Sequence, residues 1–289
     1  MKRIVLSFLL ILVISQIKAQ SLAQRLDSLL SNDPMLRTSE VGITVFDMTT
    51  GESLFQYQDE KLYRPASTEK VVTSVTALAT LGLDYTMDTR LQYTGKIEGD
   101  TLKGNLYLIG GFDPEFMDED LDSLVDVIAQ SGIRYIADTL AADVSMMDSV
   151  YWGNGWSWDD VPDSFQPYMS PLMLNRGCVD VTVIPAEKDS LPIIECVPAS
   201  DYYQVDNDGV SNNPQAGNLR ITRNWLHNGN QIHVTGNVSK KTTRTLSIYT
   251  SKDFFFHTFV NRLKEKGIET NTTAFADCPE NDSLRVVSP

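Results

Sequence analysis

Residues 63–79 read Tyr-Arg-Pro-Ala-Ser-Thr-Glu-Lys-Val-Val-Thr-Ser-Val-Thr-Ala-Leu-Ala, and the passage through Ser67 and Lys70 sets the reading of the fold. Pro65 prevents a helix from starting earlier and pushes Arg64 towards an extended conformation. Beyond Lys70 the residues Val71, Val72, Val75, Leu78, Ala79 and Leu81 recur at helical spacing, and Gly82 supplies a C-terminal stop. Val71, Val72, Thr73, Val75 and Thr76 are β-branched, which suits a helix held by packing better than one standing in water. The stretch is predicted as an extended segment that turns into a buried helix.

Residues i and i+3 share a helix face, so Lys70 can reach Ser67. An unprotonated lysine there takes the serine proton and leaves an alkoxide-like nucleophile, the arrangement of acyl transfer. Free lysine titrates near about 10.4, so the scheme asks for burial and a helix N-terminus to favour the neutral amine. The pattern alone has low specificity. It recurs at Ser15-Gln16-Ile17-Lys18, and a capped core helix with a surface lysine produces the same four residues.

The chain opens Met1-Lys2-Arg3, followed by a mostly apolar run from Ile4 to Ile14 and a small residue, Ala19. A basic start, an apolar run too short to span a bilayer and a small residue before the break describe a secretory signal peptide over residues 1–19. An uncleaved anchor is the rival reading. Cleavage after Ala19 implies an exported, periplasmic protein with no transmembrane span. Losing Lys2, Arg3 and Lys18 takes the formal charge from −14 to −17. So acidic a chain is not expected to bind nucleic acid through a general field. Cys178, Cys196 and Cys278 form no CxxC, and His227, His233 and His257 are not at ligand spacing, so neither metal nor cofactor is expected. A Cys178–Cys196 disulfide stays open.

Val41–Phe46 alternates like a strand, Asp47–Glu52 is a turn and Ser53–Tyr57 returns, giving a hairpin ahead of the Ser67 helix. From about residue 90 short strands and turns take over, with a helix near Asp122–Ser131. Residues 198–218, rich in Asp, Asn, Gly and Pro, read as a surface loop. Asp253–Lys266 is an amphipathic helix that Ser251 could cap and Gly267 ends. Gly110-Gly111-Phe112-Asp113-Pro114 lacks the Lys-Ser/Thr ending of a phosphate loop and reads as a strand-to-turn connection. The Trp152–Asp160 stretch, Trp-Gly-Asn-Gly-Trp-Ser-Trp-Asp-Asp, is either a packed loop or an aromatic sugar-binding platform.

Five landmarks occur in order across nearly the whole mature chain: Arg64–Lys70, Gly110–Pro114, Gly155-Trp-Ser-Trp-Asp-Asp160, Asn175 within Pro171-Leu-Met-Leu-Asn, and Val286-Val-Ser-Pro289. Together they resemble the penicillin-binding serine D-alanyl-D-alanine carboxypeptidases and endopeptidases that carry a large domain inserted after the nucleophile helix. The resemblance implies an α/β fold: a β-lactamase/transpeptidase-like domain of residues 20–90 and 245–289, interrupted by a β-rich inserted domain over 91–244. It implies Ser67 acylated by peptidoglycan stem peptides with Lys70 as base, and β-lactam antibiotics as covalent inhibitors. It also matches Asp143 to a contact with the stem peptide's side chain, beside the alternative of a structural carboxylate at a strand end.

The family's later motifs, Ser-x-Asn and then Lys-Thr-Gly, are not matched. Ser211-Asn212-Asn213 lies in the turn-rich stretch and is read as a decoy, and Lys241-Thr242-Thr243 is no Lys-Thr-Gly. Loss of one oxyanion donor typically costs about 10²–10³ in rate. The chain as written is therefore expected to be an inactive fragment or a degraded relative. A non-catalytic exported peptidoglycan-binding protein and a β-lactamase-like hydrolase are the alternatives; the long insertion argues against the second.

Overall fold

A computed structural model describes residues 20–280 and 285–287. The leader expected over residues 1–19, its Ser15–Lys18 motif and the closing Ser288-Pro289 lie outside the described residues. The chain divides into two compact units, Met1–Tyr85 and Thr86–Pro289.

In the first unit α1 (Leu22–Asn32) begins at a reciprocal cap. The Ser21 hydroxyl accepts from the Gln24 amide at 3.2 Å, and the Gln24 side chain accepts from the Ser21 amide at 3.0 Å. Asp33 then caps α2 (Pro34–Thr38) by accepting from the Met35 and Leu36 amides. β1 (Ile43–Asp47) and β2 (Glu52–Tyr57) form the expected antiparallel hairpin. Its turn is fixed by the Asp47 carboxylate, which accepts from the Thr49 amide at 2.8 Å, and by Gly51 at φ 76°, a conformation costly for other residues. The nucleophile segment follows as α3 (Glu69–Leu81), stopped by Gly82 at φ 84°.

The helix is where the sequence predicts it, but it is not buried. No residue of α3 is buried, and Val71, Val72 and Val75 are 66 %, 66 % and 60 % exposed. Periodicity reports that a face is apolar, not what covers it. Among the described residues of this unit, Leu30 and Phe55 are the apolar side chains that are buried.

The second unit is built on a seven-stranded sheet. Its first members are β3 (Arg90–Tyr93), β4 (Lys96–Glu98), β5 (Thr101–Lys103), β6 (Leu106–Ile109) and β7 (Tyr135–Asp143), with α4 (Asp118–Gln130) crossing between β6 and β7. β6 runs parallel to β7, as Leu106↔Leu140 to Ile109↔Asp143, which places Asp143 at the strand's end. β8 (Cys178–Ile184) pairs with β9 (Ile193–Val197). β10 (Gln204–Ser211), β11 (Arg220–Arg223) and β12 (Gln231–Val238) form a separate sheet. The surface loop expected over 198–218 holds a strand at its centre: its polar side chains alternate outward while Val205, Gly209 and Ser211 face in.

β13 (Thr242–Ser247) pairs with β8, α5 (Ser251–Glu265) follows, and β14 (Glu269–Phe275) lies parallel to β7. β15 (Arg285–Val286) pairs with β3. Residues 245–289 were expected to return to the first domain; instead their described residues complete the second unit. The reason is burial: Phe254, Phe255, Phe259 and Leu263 of α5 share one core with Leu121, Val125 and Ile128 of α4 and Leu106, Leu108 and Leu140 of the sheet. Arg262 links the two helices, donating to Asp118 at 2.8 Å and to Asp122. The class is mixed α/β with several sheets, as the sequence implies.

Candidate active site

A single 3₁₀ turn, Ala66–Thr68, runs directly into α3 and carries Ser67 on it. The turn is closed by the Thr68 and Glu69 amides, which donate back to Pro65 and to Ala66 and Ser67. With Ser67 one turn before the helix proper, the Lys70 Nζ lies 3.3 Å from the Ser67 Oγ and donates to it. Ala66 adopts φ 46° immediately before the serine. Left-handed backbone at a residue with a Cβ costs about 1–3 kcal/mol, a cost met most often where a reactive side chain is being aimed. Ser67 and Lys70 are both exposed. A hydroxyl and an amine within hydrogen-bond reach, both exposed at a helix start, have the arrangement that serine acyl transfer calls for.

Asp143 belongs to the second unit. It is 5 % exposed, and both carboxylate oxygens are engaged by backbone: Oδ1 accepts from the Ser145 amide at 2.8 Å, Oδ2 from the Cys278 amide at 2.7 Å. It sits at the edge of a cavity of about 340 Å³ that Arg90, Gln92, Met146 and Cys278 also line. A carboxylate that accepts from an amide 135 residues further along the chain is tying a strand end to a later loop. That geometry fits the structural-carboxylate alternative, since little of the group is left to meet a ligand.

The remaining landmarks have local tasks. Gly110 and Gly111 stand where a Cβ would fall 2.6 Å from the Pro171 backbone and 2.1 Å from that of Asp88. They allow a close chain crossing, not a phosphate cradle. Asn175, at φ 49°, donates from its amide to the Cys178 and Val197 carbonyls. Ser211 is fully buried, and its hydroxyl accepts from the Ala186 amide at 3.0 Å, so the Ser-x-Asn of this chain serves the fold. Cys178, Cys196 and Cys278 are free thiols. Burial pushes the Cys178 thiol up to about 12.

Sequence reasoning did not find how far the aromatic stretch extends. Trp152 meets Tyr168, which meets Tyr249 in turn, and Trp158 meets Trp225, so three other segments contribute. These segments lie far apart in sequence, so only the fold brings them together.

Two comparisons define the class. The structure of penicillin binding protein 4 (dacB) from Haemophilus influenzae superposes with a TM-score of 0.68 at 24 % identity, covering 84 % of this chain and 55 % of that one. A second structure of that protein, complexed with a novel β-lactam, gives 0.63 over 90 % of this chain and 56 % of the other. The fold is that of a penicillin-binding protein. Residues 22–284 match the model of the D-Ala-D-Ala carboxypeptidase 3 (S13) family, and the chain belongs to that family.

Among curated relatives, a D-alanyl-D-alanine carboxypeptidase of Actinomadura sp. (strain R39) is 27 % identical over 256 residues, 86 % of this chain and 47 % of that protein. The D-alanyl-D-alanine carboxypeptidase DacB of Haemophilus influenzae is 25 % identical over 240 residues, 81 % of this chain and 49 % of the relative. The chain spans about half the length of these curated relatives.

Proposed function

We propose that Ser67 is the nucleophile of a serine-type D-alanyl-D-alanine carboxypeptidase or endopeptidase acting on peptidoglycan stem peptides, with Lys70 as its base, in a protein of the relatives' full length. The observation that carries this reading is the 3.3 Å approach of the Lys70 amine to the Ser67 hydroxyl at the start of α3, in a chain of the S13 family. Ser67 Oγ attacks the carbonyl carbon of the penultimate D-alanine while its proton passes to Lys70. The tetrahedral intermediate collapses, the peptide C–N bond breaks, and the departing D-alanine amine takes that proton. Water then cleaves the acyl ester, restoring the serine. β-Lactams acylate the same oxygen by opening their ring, so no leaving group departs.

The exposed apolar side of α3 supports a further part of this reading: it is the surface on which the rest of a full-length protein packs, supplying the oxyanion donors that complete catalysis. Residues 1–19 act as the export signal and the protein works in the periplasm. No helix among the described residues is long and apolar enough to cross a membrane.

Fluorescent penicillin tests the assignment on the full-length protein. Labelling is expected for the parent and for Ser67→Thr at a reduced rate, and abolished in Ser67→Ala; an alanine variant that still labels removes Ser67 as nucleophile. Lys70→Arg should fold but acylate very slowly, because a guanidinium does not give up its proton.

A further inference from the structure

All four tryptophans of the chain gather on one face of the second unit. Trp158 and Trp225 lie with ring centroids 5.3 Å apart at an interplanar angle of 30°. Trp152 packs edge-on to Trp156 and against Tyr168, whose ring meets Tyr249 at 86°. Trp152, Trp158, Tyr168, Trp225 and Tyr249 wall a cavity of about 330 Å³, at the small end of the usual range for ligand sites.

Two properties separate this cluster from a core. Trp158 is 66 % exposed and Trp156 39 %, so their faces are presented to solvent where packing would bury them. Its polar groups also sit at the edge: the Tyr168 hydroxyl and the Asn228 amide meet at 3.4 Å on the cavity wall.

A second observation lies beneath the wall. Arg223 is 1 % exposed, with its guanidinium carbon 5.9 Å from the centre of the Tyr168 ring. Nε donates to the Ser247 carbonyl and Nη1 to that of Gly229, but Nη2 has no partner. The Ser247 hydroxyl beside it is unpartnered as well. An orphaned buried donor typically costs about 1–3 kcal/mol, and Arg223 carries one beside the Tyr168 ring.

From this we infer that the cleft between Trp158, Trp225 and Tyr168 is a saccharide-binding site that holds rings of the peptidoglycan glycan strand. The assignment rests on the stem-peptide reading above, since each stem peptide hangs from such a strand. The C–H faces of a pyranose lie flat on indole and phenol rings, while hydroxyl and acetamido groups at the ring edge reach the Tyr168 hydroxyl and the Asn228 amide. A chain of formal charge −14 offers a poor field for an anionic ligand and none to repel a neutral sugar.

Isothermal titration with tri-N-acetylglucosamine, a neutral probe, tests this on the full chain. Binding is expected for the parent and for Ser67→Ala, with affinity falling at least about tenfold in Trp158→Ala and Trp225→Ala and largely kept in Trp225→Tyr. Trp158 is solvent-facing, so its variant should keep its melting temperature. No heat from the parent, unchanged affinity in both alanine variants, or Trp-dependent binding of sugar-free stem peptide alone would each overturn the site. Penicillin labelling without glycan binding would remove the site and leave the enzymatic reading. Trp-dependent glycan binding without labelling would do the reverse.

Discussion

The two units of this chain are built on opposite terms. Thr86–Pro289 closes a continuous apolar core in which two helices and three sheets share buried Leu, Ile, Val and Phe side chains. Met1–Tyr85 holds the candidate nucleophile on a helix whose apolar residues are all exposed, with Leu30 and Phe55 as its buried apolar side chains. Both carry clear amphipathic patterns; one is satisfied internally and the other is not. The lesson is that a periodic stripe specifies an element and its inward face, and leaves open which chain segment lies opposite.

Hydrogen exchange should show this contrast at its largest. Amides of α5 are expected to exchange only through global opening, at the full unfolding free energy of roughly 5–15 kcal/mol. Amides of α3 in this chain should exchange with almost no protection, because β-branched helices gain little without packing. Equal protection of the two helices would mean that α3 is covered after all.

Thiol reactivity probes the same difference chemically. With its pKa pushed up to about 12, Cys178 holds a thiolate fraction of only about 10⁻⁴ at a pH near 8, so iodoacetamide should leave it intact in the folded protein. A cysteine introduced by Val75→Cys on α3 should alkylate at the rate of a free thiol. Fast alkylation of Cys178 would show that the second core opens readily.

Truncations give the energetic version. Phe259→Ala removes a fully buried ring and should cost about 3–5 kcal/mol in denaturant unfolding, against under about 0.5 kcal/mol for Val75→Ala. A comparable loss from both would contradict the contrast.

Smallest is a surface pair on α5. The hydrogen bond from His257, at 2.6 Å, holds the Asp201 carboxyl below its ordinary value. Its folded pKa is depressed, so its stabilisation is present above the ordinary aspartate range and is lost as pH falls through the lowered value. Because Asp201 is largely exposed, Asp201→Asn should change stability by only a few tenths of a kcal/mol near neutrality and by nothing in strong acid. An acid-independent effect would assign the contact to packing.

Much of the fold and of the candidate nucleophile could be read from local signals. The β1–β2 hairpin, α3 and its glycine stop, α5 ending before Gly267, and the Ser67–Lys70 spacing all depend on residues within one or two turns of each other. What could not be read depends on distant partners. β10 looked like a loop because its pairing with β12 is parallel and about 27 residues away. Sequence shows that α5 is amphipathic but not that Leu121 and Leu140 wait for its phenylalanines. Asp143 carries a family-like position, yet only the fold reveals that the Cys278 amide occupies one of its oxygens. Trp225 joins Trp158 across 67 positions, with no local mark.

The proposed chemistry begins at the oxygen of Ser67. Mass spectrometry of tryptic digests after penicillin treatment of the full-length protein examines it most directly, since Pro65 protects Arg64 and the serine falls within the peptide 62–70. A penicilloyl mass on that peptide, located to Ser67 by fragmentation and missing in Ser67→Ala, is the expected result. An adduct on another peptide, with 62–70 recovered unmodified, would contradict the assignment.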